Sequence, residues 1–143
     1  MKFLIAVDAS LVSKQAVAFI ADRPALETDS FLILSVVAQV AGTDSHKSGV
    51  ERKDSFESQE KLVEEFARQL KEHFPKNQIE TKVVGGTAAE QIVSWARQWG
   101  ADMIVLGTHG RKGFDKLRYG SVAEAVLSES DCSVRIVKAR HRS

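Results

Sequence analysis

Apolar residues follow two rhythms along the chain. Three runs, Phe3-Leu4-Ile5-Ala6-Val7, Phe31-Leu32-Ile33-Leu34-Ser35-Val36-Val37 and Ala101-Asp102-Met103-Ile104-Val105-Leu106, show almost no polar alternation. Such runs read as strands buried on both faces. Between them the apolar positions recur three and four apart. Val12, Ala16, Phe19 and Ile20 define one face of a helix over 11–21, with Ser10 as its N-cap. Pro24 stops it, because it lacks an N–H and restricts Arg23. Leu62, Phe66, Leu70 and Phe74, flanked by Val63 and Ala67, mark a helix over 55–74 that Pro75 ends. Thr87 and Glu90 form a capping box that opens a helix to Trp99, closed by Gly100. Ser121 and Glu124 form another, at the start of a helix over 122–127. Residues 79–84 partly alternate through Glu80 and Lys82, as an edge strand does, and 133–138 is the last strand. Residues 39–54 are polar, carry Gly42 and Gly49 and have no period. They read as a long mobile loop.

Strands and helices therefore alternate, with no internal repeat and no linker. Right-handed crossovers turn that order into an α/β fold: a single domain, residues 1–143, with an open five-stranded parallel sheet and helices on both faces, Rossmann-like. The first, second and fourth strands are the most apolar and should be central, which a strand order of 3-2-1-4-5 satisfies. Ligands of such sheets bind beyond the carboxyl ends of the strands, at the switch in strand order. Asp8, after strand 1, and Gly107, after strand 4, converge there although about a hundred residues separate them.

Composition narrows the partners. With 143 residues, 43% hydrophobic and 27% charged, the chain suits one globular core. A net charge of +1 gives no case for nucleic acid or an anionic membrane, and the basic tail Lys138-Ala139-Arg140-His141-Arg142 reads as a solvated end. No stretch approaches a membrane span, and the N-terminus lacks the pattern of a signal peptide. The single cysteine, Cys132, excludes an internal disulfide. A cytoplasmic location is the expectation.

Candidate chemistry lies in 107–121, GTHGRKGFDKLRYGS. The stretch leaves a buried strand, passes glycines and enters a helix, the usual way to cradle phosphate on free backbone N–H groups. Arg111, Lys112, Lys116 and Arg118 against Asp115 give four positive charges to one negative, a local +3. The spacing is neither a P-loop nor the dinucleotide fingerprint. From these residues alone, an anion site and a loop whose glycines serve only turns both stand open. Asp8 reads as a ribose contact more readily than as a turn cap. His109 has no poised partner for acid–base work, and His46, His73, His109 and His141 lack ligand spacing, so no catalytic residue and no protein-built metal site is expected. Cys132 reads as an inert thiol, and Trp95 and Trp99 as packing residues.

These residues together resemble the universal stress protein family in its nucleotide-binding branch. The resemblance spans nearly the whole chain: Val7-Asp8-Ala9-Ser10, Ser35-Val36-Val37, 102–110, Gly120-Ser121-Val122-Ala123-Glu124, and the closing strand after Cys132. The family pattern G-x2-G-x9-G-[S/T] is present in full. Ser35 stands where the family often has His, and Ser133 where a proline usually follows the cysteine. The resemblance implies ATP binding. Gly107, Gly110, Gly120 and Ser121 would hold phosphates and ribose, with Arg111 as counter-charge and Val122 beside them. Asp8 would lie near the ribose and adenine, and the adenine against Ala6, Val7 and Val36, hydrogen-bonded to the Val36 backbone. A magnesium or manganese ion carried by the phosphates would need few protein ligands and is compatible with the chain, and the resemblance further implies a homodimer through the last strand. The expected function is a nucleotide-dependent stress or signalling module with slow or no ATP hydrolysis, since no general base is evident. The alternative is a dimeric interaction module that binds no nucleotide and keeps a vestigial glycine loop. A nucleotidyl transferase or ATP pyrophosphatase fits least, for the chain lacks the His-x-Gly-His element of the former and the early Ser-Gly-Gly loop of the latter.

Overall fold

The computed structural model describes residues 1–38, 49–108 and 114–138, and the side chains at 49–54, 108 and 114–120 lie outside that description. The elements are β1 (Lys2–Ala6), α1 (Leu11–Ala21), β2 (Ser30–Ala38), α2 (Gly49–His73), β3 (Gln78–Gly86), α3 (Ala88–Trp99), β4 (Met103–Thr108), α4 (Phe114–Glu129) and β5 (Ser133–Lys138). All strand pairs are parallel, and the order is β3-β2-β1-β4-β5, as the apolar runs require.

Alternate residues of each central strand enter different cores. Ile5, Ile33 and Val105 face α1 and α2, where Val17, Ile20, Phe66 and Leu70 cover them. Leu4, Leu32 and Ile104 face α3 and α4, under Ile92, Val93, Ala96 and Val126. Both faces of the sheet are thus dry, which explains unbroken apolar runs instead of alternation. The edges behave differently: β3 and β5 alternate exposed and half-buried positions.

Caps follow the sequence in part. Ser10 caps α1 in extended conformation, its Oγ accepting from Ser13 N. Gly100 closes α3 in the left-handed region at φ 80°, where glycine avoids the Cβ penalty. Thr87 sits at the N-cap of α3 but makes no side-chain cap bond, so its half of the expected capping box is not formed. Two boundaries differ from expectation. The helix expected from 55 begins at Gly49, because Glu51, Arg52 and Lys53 are good helix formers despite their lack of apolar period. Residues 39–48, the rest of the expected loop, lie outside the described residues. The last helix begins at Phe114, so Ser121 and Glu124 lie inside it and do not cap it. The stretch Lys116-Leu117-Arg118 favours helix enough to carry the helix through Gly120, whose cost is about 1 kcal/mol.

The site comes from unequal strand lengths. β1 ends its ladder at Ala6, which pairs Leu34 on one side and Leu106 on the other. β2 continues to Ala38 beside β3, and β4 to Thr108 beside β5. Above Ala6 the sheet is therefore split. Only Val7 N, donating to Leu34 O at 2.9 Å, extends the contact before the chain turns into α1.

Candidate functional site

A cavity of about 380 Å³ fills that split. Its volume falls in the range of small-molecule sites, ~300–1,000 Å³. Six of the residues expected from sequence line it: Ala6, Val7, Asp8, Val36, Gly107 and Val122. They come from β1 and its exit, β2, β4 and α4. The lining is mostly apolar, completed by Leu34, Ala38, Ala88, Ile92 and Leu106. One wall is polar and consists of Asp8, Ser10 and Ser13.

That wall is built by the turn from β1 into α1. Asp8 Oδ1 accepts from Ser10 N at 2.8 Å and from Ser13 Oγ at 3.0 Å. Ser13 Oγ also accepts from Asp8 N at 2.8 Å. Asp8 remains exposed, while Ser13 is buried. Among the described residues no donor reaches Asp8 Oδ2. A half-used carboxylate beside an apolar slot suits a ligand with a flat apolar part and a hydroxylated part.

Gly107 has a reason of its own to be glycine. A Cβ there would lie 2.8 Å from Val12 O and 3.0 Å from Val12 Cβ. The first turn of α1 thus presses on the end of β4, and only glycine admits it. Gly107 lines the cavity as well, so the residue is demanded by packing whatever the ligand.

The remaining expected site residues stand elsewhere. Gly110, Arg111 and Lys112 lie outside the described residues, whereas Lys116 and Arg118, expected in the same loop, belong to the backbone of α4. Gly120 and Ser121 belong to α4. Ser121 is exposed and is not on the cavity wall, although it does take part in an interaction. Ser35, where the family often has His, is buried and donates from Oγ to Gln59 Oε1 at 2.5 Å, which ties β2 to α2 one residue below Val36.

Sequence reasoning missed Ser13, Ala88 and Ile92. Ser13 follows Asp8 by five positions, and a side chain in the first turn of a helix leans back toward its N-terminus. The pattern Asp8-x-Ser10-x-x-Ser13 therefore held the signal. Ala88 and Ile92 reach the cavity because α3 starts at the carboxyl edge, after Gly86.

Ser13 Oγ donates to Asp8 Oδ1, and among the described residues no histidine stands beside them to complete a nucleophile pair. Among the described residues no group of three His, Cys, Asp or Glu is placed to hold a metal. Cys132 is half-buried, and burial first, then Asp102 and Asp131, push its thiol above the usual range, so little thiolate is present at neutral pH. No described helix is long and apolar enough to cross a membrane.

Known proteins share this architecture. Universal stress protein MJ0577 of Methanocaldococcus jannaschii is 30% identical over 115 residues, covering 76% of this chain and 68% of that protein. Universal stress protein MJ0531 of the same organism is 42% identical over 60 residues, but this covers only 42% of the chain and 35% of that protein. The solved structure of MJ0577 superposes with a TM-score of 0.80 at 24% identity, covering 99% of this chain and 97% of that one. A family protein from Arabidopsis thaliana solved with AMP bound gives 0.69 at 18% identity, covering 98% and 92%. A universal stress protein from Archaeoglobus fulgidus in complex with dAMP gives 0.63 at 18%, covering 96% and 98%. The model of the universal stress protein family matches residues 1–138. With that span and a strand order shared across the fold, the chain belongs to the universal stress protein family.

Proposed function

We propose that this protein binds an adenine nucleotide, ATP in the first place, and serves as a nucleotide-dependent stress or signalling module with slow or no hydrolysis. The observation that carries the reading is the convergence of Ala6, Val7, Asp8, Val36, Gly107 and Val122 on one cavity at the switch in strand order. In this reading the adenine enters the apolar slot against Ala6, Val7 and Val36, and the ribose meets Asp8. The phosphates leave toward the glycine stretch, where Gly110, Arg111, Gly120 and Ser121 receive them with a magnesium or manganese ion. Family members with AMP and dAMP support the nucleotide class. Slow hydrolysis follows from the absence of a poised base among the described residues. The protein acts in the cytoplasm and forms a homodimer through β5, an edge strand whose outer side takes no strand partner within the sheet.

One observation favours a second reading, an interaction module without nucleotide. Val12 accounts for Gly107, and α4 runs through Gly120 and Ser121, so part of the glycine pattern has a purely structural use. Isothermal titration of dialysed protein with ATP and magnesium separates the two, alongside Gly120→Val. Valine costs α4 no more helix propensity than glycine, and a thermal melt checks that the variant is folded. Binding by the wild type that the variant loses supports the nucleotide module. No heat up to millimolar ATP supports the interaction module.

A further inference from the structure

The Ser13 hydroxyl is spent on one residue. It accepts from Asp8 N at 2.8 Å and donates to Asp8 Oδ1 at 3.0 Å. Ser10 adds its N–H to the same oxygen at 2.8 Å, and its own Oγ caps Ser13 N at 3.4 Å. Two donors thus fix Oδ1, while Oδ2 has no donor among the described residues and Asp8 faces the cavity. Ser13 is itself only 5% exposed, so its hydroxyl has no water-facing role that would explain it. Alanine would serve α1 better by helix propensity. A buried hydroxyl there, with one bond from the backbone N–H of a cavity residue and one to the carboxylate of that same residue, fixes the carboxylate relative to its own backbone.

We propose that Ser13 is a positioning residue that presets Asp8 to receive the sugar hydroxyls of the ligand, and so sets the preference of the cavity for a hydroxylated sugar. The proposal rests on the nucleotide reading above. A sugar O–H donating to an ionised carboxylate forms a strong, short hydrogen bond, provided the carboxylate need not be immobilised at the moment of binding. Without the Ser13 hydroxyl, Asp8 N loses its acceptor and Oδ1 keeps one donor. The carboxylate can then turn about its broad terminal torsion toward solvent.

The test compares ATP with 2′,3′-dideoxy-ATP, each with magnesium, by isothermal titration. The proteins are the wild type, Ser13→Ala, Ser13→Cys, Ser13→Thr, Asp8→Ala and the double variant Ser13→Ala/Asp8→Ala. Thermal melts establish that each is folded, and Ser13→Cys keeps the side-chain volume should alanine prove unstable. The wild type is expected to prefer ATP by about tenfold or more. Ser13→Ala and Ser13→Cys should reduce that preference by about fivefold, with the dideoxy affinity within about twofold of wild type. Ser13→Thr should restore it, and Ser13→Ala should change nothing further once Asp8 is alanine. An unchanged preference in folded Ser13→Ala or Ser13→Cys overturns the proposal and leaves the nucleotide reading intact. So does an equal loss for both ligands, or a loss that persists without Asp8. A wild type that binds neither nucleotide removes the nucleotide reading and the proposal with it.

Discussion

At the amino ends of the strands, polar groups are paired with other parts of the chain. Asp29 Oδ1 accepts from the Met1 amine at 2.7 Å and Oδ2 from Leu26 N at 3.0 Å. Asn77 Nδ2 donates to Leu26 O and Asp29 O at 2.8 and 2.9 Å. Phe31 stacks between Phe3 and Phe74, at 5.4 and 5.2 Å. What remains open there is about 110 Å³. At the carboxyl ends, β1 stops early, one oxygen of the Asp8 carboxylate takes no donor among the described residues, and about 380 Å³ stands open. Two aspartates near opposite ends of one strand pair thus have different uses. Asp29 is buried and fully engaged; Asp8 is exposed and half engaged. A polar group satisfied on all sides stabilises the fold, and one left partly unsatisfied at a cavity is available to a ligand.

The contrast is most severely tested where packing and cavity meet. Gly107→Ala drives a Cβ into Val12, 2.8 Å from its carbonyl oxygen, and should cost about 2–3 kcal/mol in denaturant unfolding. If stability is unchanged, the close approach of α1 to β4 is wrong. Binding in that variant reports on both effects at once, which is why Gly120→Val is the better probe of phosphate contact.

Next in size is the amino end. Asp29→Ala leaves Leu26 N without its acceptor and should cost about 1–3 kcal/mol, with ATP affinity unchanged in the folded protein. Its pH dependence has a definite sign. Burial opposes ionisation of Asp29, but the hydrogen bond and charge of the Met1 amine and the Leu26 N–H outweigh it. The carboxyl is held below its ordinary 3.8. The stability it supplies is complete above that value and disappears as pH falls below it through the lower folded pKa. Acid titration of the wild type should therefore show a loss that Asp29→Ala lacks.

Asp8→Ala should do the reverse. Ser10 N and the Ser13 hydroxyl lose an acceptor, so unfolding shifts by about 1 kcal/mol, while ATP affinity falls about tenfold or more. A large stability loss without an affinity loss would make Asp8 a turn residue and nothing else. The smallest effect belongs to Lys2. Its Nζ lies 4.4 Å from the Trp99 ring centroid and donates to Trp99 O at 2.5 Å, close to where Trp99 Nε1 donates to Glu80. Lys2→Ala should cost about 0.5–1 kcal/mol and leave binding untouched.

The same contrast explains what could be read from sequence. Leu4 and Ile5, Leu32 and Ile33, and Ile104 and Val105 are adjacent apolar pairs that need two dry faces, and this fixes a covered parallel sheet and its central strands. Asp8, Val36 and Gly107 follow from them, because they stand at the carboxyl ends of those strands. Ser13 was hidden because a helix start explains a serine without reference to a carboxylate five residues earlier. The start of α2 at Gly49 was hidden because helix propensity without apolar period resembles a polar loop. The start of α4 at Phe114 was hidden by a capping box that is real as a sequence pattern but loses to the propensity of the residues before it.

The most direct test of the account is an ATP–magnesium titration of the isotope-labelled protein, followed by backbone amide shifts. The account predicts saturable changes at Val7, Asp8, Val36, Gly107 and Val122, with Asp29, Asn77 and Phe31 at the other end of the sheet unmoved. Saturable changes confined to the amino end, or none up to millimolar nucleotide, would contradict it.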